Sequence, residues 1–132
     1  MHLAADNSVA AVRATISELM DQTLILSNIA KHIRLSREEE AHFLSLLEPA
    51  SYPAKKIVQS EGSVCRYSIF VTKGCLRSFT TDKNGYEHVL SFAPPDWWMA
   101  DMYSLIAQKP GILSIQALEA TEVLLLSRTK QE

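Results

Sequence analysis

Cysteine is scarce in this chain: Cys65 and Cys75 are the only two. Two thiols cannot build the disulfide framework of a small secreted domain, and these two form no CxxC pair. Both are expected to be free thiols in a reducing cytosol. Long apolar runs are also missing. Nothing approaches the roughly 20 residues that span a bilayer, and Met1-His2-Leu3-Ala4-Ala5-Asp6-Asn7 has neither the positive n-region nor the apolar h-region of a secretory signal. A cytoplasmic protein with no membrane partner is the expectation. An excess of charge of one sign is absent too. Thirteen Lys/Arg stand against 15 Asp/Glu, a net charge of −2. Residues 1–50 hold four Lys/Arg and seven Asp/Glu, and residues 51–132 hold nine and eight. Neither part offers the concentrated basic patch of a nucleic-acid binder.

Catalytic signatures are equally thin. His2, His32, His42 and His88 are scattered, with no HxH pair to converge on a metal as in a metal-dependent cupin. No GxSxG elbow marks a serine nucleophile. No enzyme, metal or cofactor is expected, and a cupin-like enzyme is the remotest alternative.

Glycine and proline are missing before Pro49, and all four Gly and five Pro fall between Pro49 and Gly111. This divides the chain into a helical segment, residues 1–50, and a turn-rich remainder, residues 51–132. In the helical segment Asn7 and Ser8 can cap a helix that carries Val9, Val12, Ile16 and Leu19 on one stripe. Leu24, Ile25, Ile29 and Ile33 continue it on a shifted face, which suggests a break or bend near Asp21–Thr23. Ser36-Arg37-Glu38-Glu39 has the capping-box spacing, and Phe43, Leu44 and Leu47 follow on a helix that should stop before Pro49.

The remainder reads as short strands: Lys56–Gln59, Tyr67–Val71, Leu76–Thr80, Tyr86–Phe92 after the Asn84-Gly85 hairpin turn, Ile112–Leu118 and Glu122–Ser127. Pro94-Pro95-Asp96 turns the chain toward Trp97-Trp98, and apolar spacing suggests a short helix over Met102–Ala107. Many short strands with Gly turns indicate a barrel, jelly roll or β-roll. The fold class is α+β, an antiparallel β-roll (a double-stranded β-helix, jelly-roll-like) with N-terminal helices and a short inserted helix.

From Ile29 to Ser127 the chain resembles the sensor domain of the Crp/Fnr family of transcription regulators. Ser36-Arg37-Glu38-Glu39-Glu40 looks like the helix preceding that family's roll, and Glu61-Gly62 like its first tight turn. Ile69-Phe70-Val71-Thr72-Lys73-Gly74 looks like its strand ending in Lys-Gly, Asp82-Lys83-Asn84-Gly85-Tyr86-Glu87 like its exposed hairpin, and Glu119–Leu124 like its last strand pair. Ala93-Pro94-Pro95-Asp96-Trp97-Trp98 resembles a divergent branch more than the cAMP receptor branch. The resemblance implies a cyclic-nucleotide-binding-like domain of a bacterial-type regulator, homodimeric when intact, that senses a small-molecule effector in transcription regulation. DNA would be read only through a C-terminal helix-turn-helix, which Arg128–Glu132 cannot supply. A monomer or weak homodimer without specific DNA binding is expected of these 132 residues. The family's iron–sulfur chemistry needs about four clustered Cys, and only two are present.

The resemblance also implies a phosphate cassette around the short helix. In cyclic-nucleotide binders a Glu holds the ribose hydroxyl and an Arg pairs with the phosphate. Their Gly-Glu positions fall on Ala100-Asp101 and their Arg-Ser positions near Gly111-Ile112, and no Lys or Arg lies between Lys109 and Arg128. Asp101 either replaces the Glu with a shorter reach or caps the short helix. Lys109 can supply a point charge but not the guanidinium fork. Trp97 and Trp98 are candidates to stack on a ligand, with at least one of them expected in the core. Met102 and Tyr103 are expected to pack, and Arg66, Arg77 and His88 to lie at the surface. The candidate ligand-binding set is therefore Trp97, Trp98, Ala100, Asp101, Met102, Lys109, Gly111 and Ile112. Cyclic nucleotide is a doubtful ligand for it, and an apolar or aromatic effector suits Trp97, Trp98, Met99 and Met102 if they line a cavity. The alternative function is a ligand-free protein-interaction module that works through its helices.

Overall fold

The structure, a computed structural model, describes residues 17–128. Val9, Val12 and Ile16 of the first apolar stripe lie outside them. Two compact units divide the chain, Met1–Leu44 and Ser45–Glu132.

In the first unit, helix α1 covers residues 17–30 without a break at 21–23, where the shift of apolar face suggested one. Thr23 Oγ1 donates to the Leu19 carbonyl at 2.9 Å, so this hydroxyl is satisfied inside the helix. Helix α2, Arg37–Ser45, opens on the expected capping box. Glu39 N donates to Ser36 Oγ at 3.1 Å, and Ser36 N donates to Glu39 Oε1 at 3.0 Å. Hydrogen bonding of the carboxylate to Ser36, by its backbone N–H first and its hydroxyl second, holds the Glu39 carboxyl below the ordinary glutamate range.

The second unit carries eight strands: β1 Leu47–Tyr52, β2 Ile57–Gln59, β3 Tyr67–Lys73, β4 Leu76–Thr81, β5 Glu87–Ala93, β6 Trp98–Met99, β7 Ser114–Ala117 and β8 Thr121–Ser127. Helix α3, Met102–Ala107, lies between β6 and β7. The strands form two four-stranded antiparallel sheets, β1-β8-β3-β6 and β2-β7-β4-β5. This is the expected α+β roll. Two strands are absent from the sequence reading: β6, Trp98–Met99, and β1, Leu47–Tyr52, whose Leu47 was expected on the end of the preceding helix. Pro49 stands in β1 because this is an edge strand, paired only to β8, where a missing N–H costs no ladder bond on the open side.

The core lies between the sheets. Ile69 and Val71 of β3, Met99 of β6 and Val123 of β8 cluster with Leu76 of β4, Ala93 of β5, and Ile115 and Ala117 of β7. Alternation along each strand selects these inward positions. The β3–β4 turn needs Gly74: its φ is +90°, and a Cβ there would sit 2.6 Å from the Ala120 carbonyl oxygen.

The β4–β5 hairpin is tied at its turn by Asp82, whose Oδ1 accepts from Asn84 N and Tyr86 N at 2.9 and 3.1 Å. His88 is exposed, as expected, and its Nε2 lies 2.9 Å from Asp82 Oδ2. Farther along, Phe79 pairs with Val89 but Ser78 pairs with Ser91, so Leu90 is left unpaired in a bulge. Arg66 is exposed, but Arg77 is not the surface charge expected. Its side chain is only 16% exposed, bonds Gln116 Oε1 and Glu87 Oε1 at 2.8 Å each, and lies over the Phe79 ring. Neighbours on β5 and β7 give the guanidinium enough acceptors to leave bulk water.

Candidate functional site

Beside helix α3 the second unit holds a cavity of about 530 Å³, within the range of small-molecule sites. Its wall comprises Leu90, Phe92, Trp97, Trp98, Met99, Ala100, Met102 and Leu113, with three hydroxyl residues, Ser68, Ser78 and Ser91. None of these side chains carries a charge.

Local structure places each of them. The Pro94-Pro95-Asp96 turn brings Asp96 to a φ of +75°, and the chain is then fixed to β3: Asp96 N donates to Val71 O at 2.9 Å and Val71 N to Trp97 O at 3.0 Å. Trp98, paired with Phe70 in the ladder, packs its ring against Phe70 with the centroids 5.1 Å apart and the planes tilted by 56°. Trp97 stays exposed. Met99 is a core residue that also reaches the cavity. Ser78 and Ser91, opposite each other on β4 and β5, share a hydrogen bond of 2.6 Å between their hydroxyls.

Helix α3 forms one side and is pinned by buried polar atoms. Asp101 is fully buried and caps it: Oδ1 accepts from Ser104 N at 3.1 Å. Oδ2 accepts from Ile112 N at 2.7 Å and Leu113 N at 3.2 Å. One carboxylate therefore ties the start of the helix to the loop leading into β7. Gly111 makes the approach possible, since a Cβ there would lie 2.8 Å from Asp101 Oδ2 and 2.9 Å from Ser63 O. Its backbone is held from both sides, Gly111 N donating to Ser63 O and Gly62 N to Gly111 O, each at 2.9 Å. At the other end Ser104 Oγ donates to Lys109 O at 2.6 Å and accepts from Cys65 N at 2.7 Å. Gln108, at a φ of 54°, closes the helix, and its side-chain amide donates to Leu105 O and Cys65 O.

The structure brings four of the eight candidate residues to the cavity: Trp97, Trp98, Ala100 and Met102. Asp101, Lys109, Gly111 and Ile112 do not line it. Of the two roles open to Asp101, the structure shows the cap. Lys109 contributes its backbone carbonyl to Ser104. Met102, expected to pack, is 57% exposed on the cavity side of α3, and Tyr103 beside it is also exposed. The hydroxyl residues and the β5 pair, Leu90 and Phe92, carried no motif that would have selected them.

Comparison with known proteins agrees with this architecture. The cyclic nucleotide-binding domain family matches residues 49–131, and the chain belongs to that family. Its structural neighbours include Crp/Fnr-family regulators. The catabolite activator protein of Thermus thermophilus is 29% identical, with a TM-score of 0.66 over 74% of this chain and 45% of its own. The N-terminal domain of a transcriptional regulator from Streptomyces coelicolor A3(2) is 21% identical, with a TM-score of 0.65 over 73% and 66%. The sensor domain of the transcriptional regulator DNR from Pseudomonas aeruginosa is 13% identical, with a TM-score of 0.70 over 86% and 75%. The chain thus spans less than half the length of the catabolite activator. None of the curated proteins matches it. Among the described residues no helix is long and apolar enough to cross a membrane.

Proposed function

We propose that this chain is the effector-sensing domain of a Crp/Fnr-type transcription regulator, and that the cavity beside α3 takes an uncharged small molecule rather than a cyclic nucleotide. The observation that carries the reading is the placement of Asp101. Backbone N–H pairs of this kind are where an anionic ligand would be received, and those of Ile112 and Leu113 already bond the Asp101 carboxylate. The cavity wall supplies no Lys or Arg in compensation.

An opposite charge about 4 Å away is worth about 4 kcal/mol at an effective dielectric near 20. Desolvating that cation offsets part of the gain, so its absence costs about 2–4 kcal/mol, a factor of about 30 to 1,000 in affinity. In a whole regulator, occupancy of the cavity would be coupled to DNA affinity as a free energy between two sites. Calorimetric titration of the chain with cAMP and cGMP tests the reading. No binding in the low-micromolar range is expected, and low-micromolar affinity for either would overturn it.

A further inference from the structure

We infer that the effector is an uncharged aromatic molecule with one hydroxyl group, its ring on the apolar wall and its hydroxyl on the Ser78–Ser91 pair. This deepens the reading above and rests on it. A cavity that is apolar on most sides orients its ligand through whatever few polar groups it has. Here two of them are placed together by the bulge at Leu90, which moves Ser91, rather than Leu90, opposite Ser78. Their mutual 2.6 Å bond uses one O–H and one lone pair. The other O–H and the remaining lone pairs are available to a ligand group.

A ligand hydroxyl, both donor and acceptor, can complete that arrangement. A carboxylate or phosphate cannot, since it only accepts and would bring a charge that no side chain of the wall neutralises. On the apolar side Phe92, Trp97, Trp98 and Met102 contribute three aromatic side chains and a thioether, groups that favour an aromatic body over an aliphatic one.

The test is calorimetry with 2-naphthol, naphthalene and 2-naphthoate at neutral pH, on the full chain and on a Ser78→Ala/Ser91→Ala double variant. Removing both hydroxyls leaves neither one stranded. The unaltered chain should bind 2-naphthol about three- to tenfold tighter than naphthalene, the worth of one neutral hydrogen bond. The double variant should lose that preference and bind naphthalene as before. Where its melting temperature falls, Ser91→Ala alone, at an exposed position, replaces it. Equal binding of 2-naphthol and naphthalene, or a preference that survives the substitutions, overturns this inference and leaves the uncharged-effector reading standing. Tighter binding of 2-naphthoate than of 2-naphthol overturns that reading itself, and no binding of any of the three overturns both.

Discussion

Asp101 is a fully buried carboxylate that does no visible work on the cavity surface, yet the surface depends on it. It joins the first turn of α3 to the strand entry at Ile112 and Leu113, and Ala100, Met102 and Leu113 on either side of that joint all belong to the wall. Replacing it with Ala strands three backbone donors away from water and removes the helix cap. The expected loss is about 3 kcal/mol of stability, read from urea denaturation. Asn keeps the shape but offers a single acceptor oxygen, so Asp101→Asn should cost less, about 1–2 kcal/mol. An Asp101→Ala variant as stable as the parent would show that the joint is dispensable. Gly111→Ala acts on the same contact from the opposite side. The new methyl would meet the carboxylate and the Ser63 carbonyl below 3 Å, and overpacking of this kind costs about 1–3 kcal/mol. A melting temperature unchanged by this substitution would argue against the close approach.

At the scale of single elements, α2 gives the pH dependence with the clearest sign. Glu39 has its carboxyl pKa held down by Ser36. Its contribution to the helix start is therefore fully present above the ordinary glutamate value and is lost as pH falls through the lowered one. Protection of the Ser36 N–H, the donor to the Glu39 carboxylate, should fall across that acidic range in the parent and be weak at every pH in Glu39→Ala. Protection that ignores pH would remove the capping box from the account. The same helix was legible in the sequence because its signal is local: a hydroxyl and, three positions on, a carboxylate. Most strands were legible too, from alternation and from Gly74 and Gly85 at the turns. Several features were not. β1 looked like a helix end because Pro49 is a breaker in either context, and only the pairing with β8 shows that it stands at an edge. The Ser78–Ser91 pair was hidden because neither serine stands in a motif, and with Asp82 opposite Tyr86, as the loop closes here, simple counting puts Leu90 opposite Ser78. The bulge that corrects the register is a property of two strands together. Asp101 was found as a residue, but its three donors come from positions 104, 112 and 113, and nothing in a linear reading joins them.

For the molecule as a whole, the second sheet leaves one flank open. β5 has a partner on one side only, and six of its seven residues are exposed, Val89, Leu90 and Phe92 among them. An apolar edge strand of this kind invites loose pairing. Sedimentation across micromolar to millimolar concentration should show a monomer that begins to dimerise only at the upper end, whereas a tight dimer at nanomolar concentration would require a different and better-packed surface. The family could be recognised from the order of its short motifs, because order along the chain survives where each motif is weak. The ligand chemistry could not, because it lies in which side chains share one wall. Trp97 and Trp98 are the only two tryptophans in the sequence, and both stand on that wall. All indole light emitted by this chain thus originates at the cavity, and a change in its colour or intensity reports occupancy with no label attached.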